Sequence, residues 1–316
     1  MTSLPRFRPV TVLALALATM LFTSTAQAQV VLKPKLRPDT KRAYQAESNT
    51  KQILTLLGMD IETKVTQFVT MEQVIGPRAA DGTLRLTDTN KKLQQEFLLP
   101  GGVKVSFDSD NPNKKAPVAQ LEPILELLRV IAKAKVTLVF DKSDKVVKVE
   151  GINDVLKDLD PDLRKSLSSQ FSNKVILARW NDRIKRIPVK AVRVGEKWEH
   201  TTVMNLEAGQ KISVKRQYTY AGTTKRGQDT VHRITTKSLA ATLTQDPPEG
   251  SPTTITASKL KIAKGTGEIL IDLEQGVVLS ESDSTRMTGT LTIVVNGMSL
   301  DGTLDLTIAN KLQLQK

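Results

Sequence analysis

From Lys41 onward a two-residue hydrophobic period dominates the chain. Ile61, Val65, Val69 and Met71 fall on one face of a strand over 61–73, opposite Glu62, Lys64, Thr66 and Glu72, with Phe68 breaking the alternation. That pattern predicts an antiparallel sheet with one dry face. Asp81-Gly82 marks a turn before a strand carrying Leu84 and Leu86, and Gly101-Gly102 precedes Val103, Val105 and Phe107. In the second half, strands are predicted over 201–206, 211–220, 230–236, 290–295 and 303–314. Asn296-Gly297 between the last two is the strongest short hairpin signal in the chain.

Two hairpins look alike. Val136 to Asp141 is an apolar strand ending in Asp, followed by four turn residues and Val146-Val147. Gly265-Thr-Gly267 leads into Ile269, Ile271, Asp272 and Leu273, and the chain resumes at Val277-Val278, 131 residues later than its counterpart. Shared positions for Asp141 and Asp272 predict a shared role as turn-formers. The pattern predicts two related halves.

Helical periodicity is confined to the middle. Leu121, Ile124, Leu125, Leu128 and Ile131 make one apolar stripe, with Pro123 in the first turn. Asp160-Pro161 reads as an N-cap with Pro at the first helical position, and Leu163, Leu167 and Phe171 continue a stripe. Ile187-Pro188 predicts the end of this region. The division expected is a targeting segment over 1–28, a β-rich half with one covering helix over 29–159, a basic helical linker over 160–187, and an antiparallel β half over 188–316.

Composition adds a destination. Arg6 and Arg8 precede a mostly apolar run from Val10 to Phe22, and Ala26-Gln27-Ala28 supplies the small residues of a cleavage site at Ala26 and Ala28. The run is shorter than the roughly 20 residues needed to span a bilayer. Export to the periplasm or cell surface is expected, with no transmembrane span after cleavage. The chain has no Cys, so stability in an oxidising compartment must come from burial. Its net charge of +13 draws it to polyanions or anionic headgroups. Aromatics are only 4%, which argues against base-stacking nucleic-acid recognition and against an aromatic-girdled outer-membrane barrel.

Candidate chemistry is sparse. The only histidines, His200 and His232, read as surface or edge residues. No nucleophile elbow, zinc-protease, P-loop or dinucleotide motif occurs. Asp108, Asp110, Asn111 and Asn113 lack the glycine of a calcium loop, and Pro112 sits where a ligand belongs. No cofactor and no metal is expected. Arg216 shares a face with Tyr218 and Tyr220, so it must be paired or lie at the mouth of a cavity; these three are the candidate ligand-binding residues. Arg179, Arg183, Lys185 and Arg186 are the densest cations of the middle and form a candidate anion-binding ridge, with a solvated helix as the alternative.

Phe107-Asp-Ser-Asp, Phe140-Asp, Val194-Gly-Glu-Lys-Trp198, Tyr218-Thr-Tyr-Ala-Gly222 and Gly265-x-Gly with Ile271-Asp together resemble an uncharacterised family of exported bacterial proteins frequent in planctomycete-type bacteria. The resemblance implies no catalytic residues. The fold expected is α+β, mainly antiparallel strands in two related halves with a helical middle, a half-barrel similar to bacterial lipoprotein carriers. The function expected is non-enzymatic binding of an apolar or anionic ligand, a lipid or an anionic envelope polymer, on a curved sheet. The alternatives are a hydrolase of envelope polymer working through Asp141 and Asp272, or a structural envelope component.

Overall fold

A computed structural model describes residues 29–157, 159–205, 209–246 and 253–315. The expected targeting segment with Ala26 and Ala28, and most of the Pro-rich loop over 246–252, lie outside the described residues. Twelve strands join one sheet: β1 (Thr40–Leu56), β2 (Met59–Ile75), β3 (Leu84–Leu98), β4 (Lys104–Asp108), β5 (Lys135–Phe140), β6 (Val146–Glu150), β7 (Lys197–Asn205), β8 (Gln210–Arg226), β9 (Asp229–Gln245), β10 (Thr253–Asp272), β11 (Val277–Val295) and β12 (Met298–Leu314). The order is β6-β5-β3-β2-β1-β12-β11-β10-β9-β8-β7, with β4 pairing β3, and every pairing is antiparallel. The last strand pairs with the first over Tyr44↔Leu314 to Leu56↔Gly302, so strands from both ends of the sequence share one continuous sheet.

The sheet is open, with β6 and β7 at its edges. Between them in sequence lie α2 (Ile152–Leu156), α3 (Pro161–Phe171) and α4 (Asn173–Lys185), while α1 (Glu122–Ala132) follows β4. α4 packs against both edges. A sheet of this width therefore curls, and its inner face closes on the helices like a half-barrel. At one end Leu125 and Leu128 of α1 bury Leu93, Val105 and Phe107. Beside them, Trp180, Ile176 and Ile184 of α4 and Leu163 and Phe171 of α3 pack on Ile75, Leu84, Leu138 and Val149. The second half of the sheet closes on itself: Ile212, Val214, Met287, Ile293 and Leu306 are buried together without a helix.

Several expected strands are parts of longer ones. The strand expected over 290–295 is the end of β11, and that over 230–236 is the start of β9. The reason is polarity: serines and threonines interrupt the hydrophobic alternation, but as β-formers they keep the ladder. Val192 is fully buried and bridges Val30, whereas Val194 stands exposed in the turn that precedes β7. Residues before β1 form a strap: Leu32 is fully buried, Lys33 Nζ donates to Ser143 O (3.2 Å), and the strap backbone at Lys35 crosses the β10–β11 turn at Gly276.

Both hairpin aspartates shape turns. Asp141 Oδ1 accepts the Ser143 and Lys145 N–H groups at 2.8 and 3.1 Å, and Asp272 Oδ1 accepts Gln275 N–H at 2.8 Å. Their hairpins sit in different settings, β5–β6 at the sheet's edge and β10–β11 in its interior.

Candidate functional site

The polar residues that matter lie where α4 meets the inner face. Ser172 caps α4 by accepting Val175 N–H, and Asn181 Nδ2 donates to Val146 O (2.9 Å), fixing the helix to β6. Trp198 Nε1 of β7 donates to Arg186 O (2.8 Å), just beyond the helix's C-terminal end. With the apolar side of α4 committed to the core, Arg179, Asp182, Arg183 and Arg186 meet β7 and β11.

Arg186 grips Glu281 of β11 in a two-pronged pair, Nη1 to Oε1 and Nη2 to Oε2, the latter at 2.6 Å, and Arg183 Nη2 adds a bond to Oε2 at 3.3 Å. The Arg186 and Glu281 side chains are only 14% and 16% exposed. Burial alone would raise the Glu281 carboxyl, but the Arg186 and Arg183 guanidiniums outweigh it and hold the group down at about 2.

A second cluster crosses the sheet beside the first. Ser48 Oγ donates to Asn310 Oδ1 (2.9 Å), Asn310 Nδ2 donates to Asp283 Oδ1 (3.5 Å), and Arg216 Nη2 donates to Asp283 Oδ2 (3.2 Å). Arg216 sits on β8 and Asp283 on β11, so the guanidinium must pass over β9 and β10. Small residues clear its way. A Cβ on Gly265 would fall 2.4 Å from Ser238 Cβ, and one on Gly267 would fall 2.6 Å from Thr236 Oγ1 and 3.0 Å from Asp283 Cβ. Gly265 and Gly267 thus belong to the interior of β10, where they open a corridor, and not to a strand entry. Burial raises the Asp283 carboxyl despite Arg216.

The cations outnumber their partners here. Arg179 is partly buried, which lowers its pKa, and it has no carboxylate or carbonyl partner among the described residues. Arg186 Nε and Arg216 Nε are buried N–H groups without acceptors among the described residues. His200 on β7 is mostly buried, with Nε2 3.2 Å from Asp182 Oδ1 but without hydrogen-bond geometry. Between α4 and β7 lies an open groove of about 430 Å³, lined by Arg179, Asp182, Arg183, Arg186, Thr202, Val203 and Met204. Among the described residues of its lining, one carboxylate faces three guanidiniums. Its apolar side continues through Met204 into the cluster of Ile212, Leu243 and Met287.

The expected site residues divide accordingly. Arg179, Arg183 and Arg186 converge on the groove, whereas Lys185 is exposed away from it. Arg216 takes the paired alternative. Tyr218 and Tyr220 are buried core, the first stacked on Trp198 at 5.8 Å and the second bonded through its hydroxyl to His232 Nδ1 at 2.8 Å. His200 lies on the edge strand β7, as expected, but α4 covers its side chain, and His232 is half-buried beside Tyr220. Sequence reasoning misses the anionic partners Glu281 and Asp283. Their signal is the alternation Glu281, Asp283, Thr285, Met287, which places two acids on the face that Met287 buries.

Asp108 and Asp110 serve the loop after β4. Asp108 accepts Asp110 N–H (3.0 Å) and Gln94 Nε2 (2.7 Å), and Asp110 pairs with Lys92. No group of three or more His, Asp or Glu positioned for a metal occurs among the described residues. None of the described helices is long and apolar enough to cross a membrane.

Among solved structures, one of lipid–protein interactions in lipovitellin is similar at 7% identity and a TM-score of 0.40, over 89% of this chain and 26% of that one. The chain thus spans about a quarter of that protein's length. An outer membrane channel from Pseudomonas putida F1 is similar at 6% identity and a TM-score of 0.22, covering 90% and 98% of the two chains. The outer membrane protein OprG from Pseudomonas aeruginosa gives 6% and 0.20 over 89% and 99%. No protein of curated function matches the chain. The family of unknown function DUF6263 matches residues 81–278, which hold α4, the groove and the Arg216 corridor, and the chain belongs to that family.

Proposed function

We propose that this is an exported, non-enzymatic binding protein whose groove between α4 and β7 takes an anionic amphiphile, a lipid-like molecule with a phosphate-type headgroup. The observation that carries the proposal is Arg179, partly buried and without a partner among the described residues, beside Arg183 and Arg186 in a groove whose described lining holds one carboxylate and an apolar wall of Val203 and Met204. A guanidinium removed from water without a partner costs energy that a bound anion returns through charge-assisted hydrogen bonds. The headgroup meets Arg179 and Arg183, and the tail follows Met204. Arg186 stays with Glu281. Export rests on the targeting segment, and the periplasm or cell surface is the compartment that follows from it.

Calorimetric titration with dodecyl phosphate, inorganic phosphate and dodecyl maltoside tests this. Dodecyl phosphate should bind at least tenfold more tightly than either of the others, and Arg179→Ala should remove that advantage. Equal binding of the phosphate-bearing and neutral amphiphiles would eliminate the headgroup site.

A further inference from the structure

The end of the sheet that carries the β1–β2, β3–β4 and β11–β12 turns has apolar side chains where hairpin tips are ordinarily polar. β1 and β2 are joined by a two-residue turn, Leu57-Gly58, flanked by the pair Leu56↔Met59. β11 and β12 are joined by Asn296-Gly297, flanked by Val295↔Met298. Both turns hold their two residues at positive φ, 52° and 78° in the first and 50° and 82° in the second. Asn-Gly is the pair such a turn favours, because the short amide tolerates the left-handed conformation. Leu57 occupies the Asn position. It gains nothing from burial, being 72% exposed, and Met59 and Met298 are each 65% exposed. Val103, beside the Gly101-Gly102 turn, is 37% exposed.

Among the described residues nothing packs on these tips. A Cβ built on Gly58, Gly101, Gly102 or Gly297 would meet nothing within 4 Å. A strained, solvated leucine at a projecting tip has no explanation within the fold. Behind the tips, Leu54, Leu56, Ile255 and Val295 lead without a break into the buried cluster around Met287.

We propose that this rim inserts into the surface of a lipid bilayer carrying anionic headgroups. Each tip offers one or two apolar side chains, separated from the next by polar chain. A stable protein interface needs about 800 Å² of contiguous contact on each partner, which such fingers do not supply. A fluid interface accepts separated fingers one at a time. The chain's net charge of +13 favours an anionic surface. At the rim Lys64, Lys104 and Lys211 are exposed and have no carboxylate partner among the described residues, while Asp60 and Asp301 are bonded to the Thr55 and Thr292 hydroxyls (2.6 and 2.8 Å) and keep their negative charge. This surface is separate from the α4–β7 groove and does not depend on it.

The test is flotation of the chain from Gln29, which holds the whole described fold, with phosphatidylglycerol–phosphatidylcholine vesicles. The unsubstituted chain should float with them, and the triple variant Leu57→Asn, Met59→Thr, Met298→Thr should bind at least tenfold more weakly with an unchanged or higher melting temperature. Leu57→Trp should give a blue-shifted emission on vesicle addition. The proposal is overturned if the triple variant floats equally well or if the emission of the Leu57→Trp variant does not move. A dimer that the triple variant dissolves, in protein that ignores vesicles, would overturn it in favour of a second copy of the chain.

Discussion

Replacing Glu281 with Gln removes the anion that holds α4 to β11, and the size of the loss follows from the pair's geometry. Arg186 and Glu281 are about 85% shielded from water and joined by two hydrogen bonds, with Arg183 adding a third. A carboxyl held at about 2 instead of its ordinary 4.5 corresponds to roughly 3 kcal/mol of folded-state stabilisation. Breaking a buried pair by removing one partner costs about 3–5 kcal/mol, so the two routes agree. The sign of the pH dependence is set by the lowered pKa. The contribution is complete above pH 4.5 and disappears as the pH falls toward 2, where the folded state must take up the proton. Urea unfolding followed through Trp198, whose indole bonds Arg186 O, reads this directly. Glu281→Gln should lose about 3 kcal/mol at neutral pH and flatten the acid limb of the stability curve. Glu281→Leu with Arg186→Met should recover most of the loss, because no buried charge is left stranded and Arg183, which also loses Glu281, is half-exposed to water. A loss under about 1 kcal/mol, with no coupling between the two sites, would refute a structural role for the pair.

Three further substitutions probe other parts of the account. Gly276→Ala puts a Cβ 2.0 Å from Lys35 O at a φ of 63°, so it should cost about 1–3 kcal/mol and speed tryptic cleavage after Lys35, the one Lys or Arg of the strap over 33–37 that no proline follows, as the strap lifts. Unaltered cleavage would mean that the strap is held elsewhere. Met287→Ala empties the centre of a cluster in which Met287 is fully buried, and should cost about 2–5 kcal/mol, against under about 1.5 for Met287→Leu, by denaturant titration. Leu57→Asn should raise stability by about 1 kcal/mol, since it relieves a left-handed leucine without losing buried area. A decrease would show that Leu57 packs against something in the folded chain.

The sheet is legible because period-2 alternation survives in Ile61 to Met71 and in Leu304 to Leu314, and because Asn296-Gly297 and the two hairpin aspartates state their turns locally. Strand length is not. β10 and β11 run through Lys, Ser and Thr between their apolar stretches, and only their neighbours in the sheet show that the ladder continues there. Density along the chain groups the cations of the middle, three of which line the groove, yet which one lacks a partner depends on Glu281, roughly a hundred residues away. No local pattern reports that pairing. Arg216 is recognisable as a problem to be solved, a charge among apolar residues. Its solution needs Gly265 and Gly267 to be seen as space, which a sequence records only as missing side chains.

The most direct test of the central claim is a crystal structure of the protein with dodecyl phosphate. The phosphate is expected within hydrogen-bond distance of the Arg179 and Arg183 guanidiniums, with the alkyl chain along Val203 and Met204 and the Arg186–Glu281 pair intact. A phosphate bound away from Arg179, or a groove left empty while the ligand sits elsewhere on the sheet, would contradict it.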